Sequence, residues 1–195
     1  MPLLTLSEMA NCFASAERRP TEDASLMLRQ LRHLDAQGLI RADRVPRDGR
    51  GTAQFSPYET YLARLLLAAG DAGFTSGSLV TLASEIREGR RLAGPLEDGF
   101  ADINLEANVR RMERGEVWLL ECSRSREPET GMLRFGPLWV RRDTDGAINR
   151  FSRHYPDPMS PEIETLDGAR IESVLLINAT ALLRPIIEAV NSRKG

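Results

Sequence analysis

Lysine is almost missing from this chain: Lys194 stands alone, so arginine carries nearly all of the positive charge. Arginine suits planar partners such as phosphate and guanine, but a compositional bias explains its excess equally well, and no weight rests on it. Cysteine is also scarce. Cys12 and Cys122 lie far apart and fit no metal-ligand spacing, so reduced thiols in a cytoplasmic protein are expected rather than a disulfide framework. The two histidines, His33 and His154, have no serine or cysteine in a recognisable nucleophile setting. No glycine-rich loop is built to cradle phosphate. No apolar run approaches the roughly 20 residues that cross a bilayer, and the N-terminus lacks a basic segment followed by an apolar one. These absences leave no metal or cofactor to assign, no membrane partner, and little support for an enzyme.

The net charge is small as well, at −2. That balance argues against indiscriminate nucleic-acid binding, so any such activity must come from a local arrangement of charge. What is present is ordinary globular material. With 195 residues, 42% hydrophobic and 28% charged, the chain can build one large domain or two small ones around a real core.

The most informative stretch runs from Leu26 to Phe55. Leu26, Leu28, Leu31 and Leu34 recur at steps of two, three and three, which is read as an amphipathic helix with one apolar stripe. Arg29, Gln30, Arg32 and His33 fall on its other faces. Gly38 should end it, because glycine accepts the left-handed cap conformation. Leu39 and Ile40 then open an extended segment, Asp48-Gly49 and Gly51 supply a reversal, and residues 52–55 return. Helix, glycine stop and short hairpin together have the form of a helix-turn-helix with a wing.

Its flanks fit that form. A first helix is expected over Thr5–Ala14, capped by Thr5 or Ser7, with Leu6, Met9, Ala10 and Phe13 inside. A polar connection at 15–23 leads to Thr21-Glu22-Asp23, expected as a capped, acidic helix start. Ser56-Pro57 marks another helix start, carried through Tyr61, Leu62, Leu65 and Leu66 to a stop near Gly73. Phe74-Thr75 opens a further helix through Leu79, Leu82, Ala83 and Ile86, and residues 88–95 look like a hinge.

Residues 28–74 resemble the MerR-type regulators, a family of winged-helix DNA-binding transcription factors. Arg32-His33-Leu34-Asp35, followed by Gly38-Leu39-Ile40, matches the frame of that family's recognition-helix end. Gly51-Thr52-Ala53-Gln54-Phe55 matches its wing, with the central aromatic and arginine replaced. Phe55-Ser56-Pro57 and Ala72-Gly73-Phe74-Thr75 match its next helix entry and turn at the right separation. The likeness covers about residues 1–86 and implies a DNA-binding winged helix.

Within it, Arg29 and Arg32 lie three apart on one helix and would project together toward a major groove, with Gln30 and His33 as neighbouring base readers. Arg41, Arg44, Arg47 and Arg50 recur along the hairpin, and Arg47 and Arg50 at its tip are the best candidates for backbone phosphate contacts.

The second half has a different texture. A short helix is expected over 103–114, with strands at 117–122, 132–135, 138–142 and 147–154, separated by Gly136-Pro137 and Asp145-Gly146 turns. A proline-rich loop at 155–161, an apolar strand at 171–177 and a closing helix at 179–191 follow, with the boundary between 177 and 181 open. Trp118, Trp139 and Phe135 read as sheet core, although an aromatic-lined sheet can also enclose a ligand. Arg110-Arg111 and Arg124/Arg126 read as solvated charge, with anion binding as the alternative.

The expectation is therefore an α+β chain: an N-terminal MerR-like winged-helix domain (1–90) and a smaller mixed sheet and helix domain (96–195) for dimerisation or ligand sensing. Its function would be that of a transcriptional regulator, a homodimer on double-stranded DNA with an unidentified effector. The alternative is a phage or mobile-element accessory protein, either excisionase-like or a packaging subunit.

Overall fold

A computed structural model describes residues 3–45, 51–91, 96, 101–150 and 170–192 of the chain. It is an α+β protein whose described residues form six helices and a four-stranded antiparallel sheet. By internal contacts it groups into two units, Met1–Leu79 with Ala181–Gly195, and Val80–Thr180. The sequence reading places a hinge or domain boundary at 88–95, of which residues 92–95 lie outside the described residues.

In the first unit, helix α1 (Leu6–Ala16) begins with a capping box. Glu8 N–H donates to Thr5 Oγ1 at 3.3 Å, and Thr5 N–H donates to Glu8 Oε2 at 2.8 Å. Met9, Ala10, Phe13 and Ala14 are buried, as the 3.6 period requires. Helix α2 (Thr21–Ala36) follows after only four residues, so the polar connection is shorter than the 15–23 expected; it starts behind Pro20 with no side-chain cap. Gly38 adopts φ 68 and closes α2 as foreseen. Leu39 N–H reaches back to the Leu34 carbonyl at 2.9 Å and Gly38 N–H to that of Asp35 at 2.8 Å. That pair of bonds satisfies carbonyls that a helix end otherwise leaves orphaned.

Helix α3 (Pro57–Asp71) opens on the Ser56 cap with Pro57 in its first turn and ends the same way, with Gly73 at φ 88. Its Tyr61, Leu62, Leu65 and Leu66 are almost wholly inaccessible. Helix α4 (Ser76–Glu88) begins in this unit and continues into the second.

The second unit is built on the sheet. Strands β1 (Arg90–Arg91) and β2 (Asp102–Ile103) make a small antiparallel pair. Helix α5 (Leu105–Glu113) then packs on β3 (Val117–Arg126). Strands β4 (Leu133–Arg142), β5 (Ile148–Arg150) and β6 (Arg170–Ile177) complete the order β5-β4-β3-β6. Three strands in meander with a fourth returning beside the first is a Greek-key order.

Two expectations change here. Gly136-Pro137 is not a turn but lies inside β4, paired with Ser123 and Cys122. Strand β5 pairs with Val140–Arg142, and among the described residues no second strand is paired to β4 at Pro137. The strand expected over 147–154 is seen as Ile148–Arg150, and 151–154 fall outside the described residues, as do His154 and the 155–161 loop. The open boundary resolves to a strand ending at Ile177 and helix α6 (Ala179–Ser192). Thr180 anchors that junction, its Oγ1 accepting from Trp118 N–H at 2.7 Å. Further along α6, Leu183, Ile186, Ile187 and Val190 are buried at steps of three, one and three.

Candidate nucleic-acid interface

The outer face of α2 is the feature the sequence singled out, and helix geometry explains its composition. At about 100° per residue, Ala24, Met27, Leu31 and Leu34 fall on one side, and all four are buried. The opposite side carries Glu22, Ser25, Leu26, Arg29, Arg32, His33 and Ala36, all exposed. Leu26 therefore belongs to the outer face, 50% exposed, and not to the apolar stripe expected of it. Met27, next in sequence, takes the inward position that tertiary packing selects.

Arg29 and Arg32 stand near the middle of this exposed face. Among the described residues no ion pair to either is present. Gln30 is half-buried at the side of the helix. His33 is exposed and bonded to Gln37, with 2.9 Å between its Nε2 and the Gln37 Nε2. Gln37 Nε2 also reaches Ser76 Oγ at 3.4 Å, which ties the end of α2 to the start of α4.

After α2 the chain is pinned by an antiparallel bridge between Arg44 and Gln54. Gln54 N–H donates to the Arg44 carbonyl at 2.9 Å, and Arg44 N–H returns to that of Gln54 at 3.1 Å. Asp43 Oδ2 accepts from Ser56 N–H at 2.7 Å, and Glu59 Oε2 accepts from Arg41 N–H at 2.8 Å. Phe55 is fully buried and bridges to Leu4. Arg41 and Arg44 are exposed. Arg47 and Arg50, the tip candidates, lie outside the described residues.

One charged feature escaped the sequence reading. The α1–α2 turn is clamped by Glu17, which is paired with Arg19 at 2.6 Å and with Arg64 of α3. Arg18, between Glu17 and Arg19, is exposed and holds φ 54. Arg18 N–H bonds the Ser15 carbonyl and Arg19 N–H that of Ala14, the same closure that Gly38 and Gly73 give their helices. Nothing local in the sequence marks an arginine as the residue that will take a glycine-like position.

The second unit offers less. Arg111, expected as solvated charge, is fully buried, whereas its neighbour Arg110 is exposed and paired with Glu106. An open cavity of about 240 Å³ is lined by Asp102, Asn104, Glu106, Ala107, Arg110 and Arg114. It is smaller than common ligand sites and mixed in charge. Trp118 and Trp139 are buried in the sheet, and Phe135 is half-buried. Among the described residues no group of three or more His, Cys, Asp or Glu is placed to hold a metal, and no helix is long and apolar enough to cross a membrane.

Compared with protein families and with curated proteins, the chain matches none.

Proposed function

We propose that this chain is a DNA-binding transcriptional regulator of the MerR-like winged-helix type. One observation carries the reading: Arg29 and Arg32 are exposed three residues apart on the outer face of α2, with the opposite face buried and the Arg44–Gln54 bridge next in the chain. Arginines so placed can grip guanine edges or phosphates in a major groove. Gln30 and His33 are adjacent base readers, and Arg47 and Arg50 belong to the wing by sequence. A single winged helix makes few phosphate contacts, so the working form is a homodimer on two half-sites. The second unit serves dimerisation or the sensing of an effector.

The test is to select preferred duplexes from a random pool and titrate Arg29→Ala and Arg32→Ala against them. Each substitution is expected to cost about 1–3 kcal/mol on the preferred sequence while light scattering shows the same oligomer. Equal losses on unrelated sequences would instead favour the phage or mobile-element accessory role. Unchanged affinity in both variants would remove α2 from the interface and end this reading.

A further inference from the structure

The turn between α1 and α2 contains a conformational cost that its own fold does not need. Arg18 is, among the described residues, the non-glycine residue with positive φ, at 54. An L-residue with a Cβ is disfavoured in this region, which is why glycine dominates such positions. The same closure is made by glycine at Gly38 and Gly73. Stability alone therefore favours glycine at position 18. The arginine side chain gives no visible return within the protein: Arg18 is exposed, and among the described residues no ion pair to it is present. The carboxylate next to it in sequence, Glu17, is already committed to Arg19 and Arg64. A residue kept in a strained conformation without an internal partner points to a partner outside.

We propose that Arg18 is a phosphate-contacting residue of the DNA interface, held at the helix-turn-helix turn at the expense of local stability. The proposal rests on the DNA-binding reading of α2. In a helix-turn-helix the second helix enters the major groove and the first crosses the backbone, so the turn joining them lies over a phosphate strand. The Glu17–Arg64 clamp fixes where that turn sits on α3, and Arg18 is the cation it leaves free to meet the strand.

The experiment uses the full chain, a random-sequence DNA duplex and three variants, Arg18→Gly, Arg18→Ala and Arg18→Lys. Arg18→Gly is expected to raise Tm by about 2–4 °C and to weaken duplex binding. The slope of log K against log salt should fall by about 0.9, the value for one lost phosphate contact. Arg18→Ala, which keeps the Cβ, should lose the same binding with no gain in Tm. Arg18→Lys should keep the salt slope. Wild-type affinity and salt slope in Arg18→Gly would overturn the role of Arg18 while leaving α2 as the interface. A lower Tm in Arg18→Gly would overturn the claim that the turn prefers glycine. A wild-type chain that binds no duplex would overturn the DNA reading and this inference with it.

Discussion

The guanidinium of Arg111 lies 5.3 Å from the centroid of the Trp118 ring, and both residues are fully buried. Arg111 also donates to the Asp102 carbonyl at 2.9 Å and to Asn108 Oδ1 at 3.0 Å. A buried cation is tolerable only when hydrogen bonds and an aromatic face replace its water. Arg111→Ala is expected to destabilise the protein by about 2–4 kcal/mol, through a cavity and two acceptors left without their donor. Urea denaturation measures this; Arg110→Ala, at an exposed ion pair, is the control and should move the midpoint little.

Glu17 and Arg64 form a partly buried ion pair that should also register. The side chains are 14% and 6% exposed, so neither charge can recover its hydration if the other is removed. Arg64→Ala is expected to cost about 2–4 kcal/mol and Arg19→Ala less than 1, since Arg19 is 41% exposed. A double-mutant cycle with Glu17→Gln would show coupling to Arg64 well above coupling to Arg19.

Gly89 has no room for a side chain. At φ 59, a Cβ there would meet the Ile103 carbonyl oxygen at 2.0 Å and the Asn104 Cα at 2.7 Å. Gly89→Ala is expected to cost about 3 kcal/mol or more and to lower soluble yield. Gly115, at φ 98 with nothing near its Cβ position, separates the two causes. Gly115→Ala should cost only the conformational penalty, about 1–2 kcal/mol. Thermal melts of the two variants side by side make the comparison.

Cys122 should be chemically inert in the folded chain. Its burial, and secondarily the Glu121 carboxylate beside it, push the thiol up from 9.0 to about 12. The folded state then holds a proton that the unfolded state releases above about pH 9. The stability this contributes is fully present below pH 9 and is lost as pH rises toward 12. Denaturant midpoints should fall over that window in wild type, and less steeply in Cys122→Ala. A native-state thiol assay at pH 8 should label Cys122 only as fast as the protein unfolds.

The helices were readable because their signals are local. A Thr5–Glu8 capping box, a Ser56-Pro57 start and glycines at 38 and 73 act within one turn of the residues that carry them. The Greek-key order of the sheet was not readable, since pairing β6 with β3 joins residues some fifty apart in sequence. Gly136-Pro137 misled for a related reason. Those residues signal a turn in isolation, and only their pairing with Ser123 and Cys122 of β3 places them inside a strand. The exposed pair Arg29 and Arg32 was legible from the period of α2, whereas Leu26, expected in the apolar stripe, is exposed and its neighbour Met27 is buried, because both are apolar and only packing chose between them.

By itself, then, the sequence determined where helices start and stop and which arginines on α2 share a face, because caps and the 3.6-residue period are properties of neighbouring residues. The tertiary structure decided which charges go inside. Arg110 and Arg111 are adjacent and identical in type, yet one is solvated and the other lies over Trp118, because a helix carries consecutive residues about 100° apart and only a packed neighbour defines which direction is the interior. The same holds at the α1–α2 turn: Arg64 folds inward onto Glu17 from another helix, and Arg18 is left facing water.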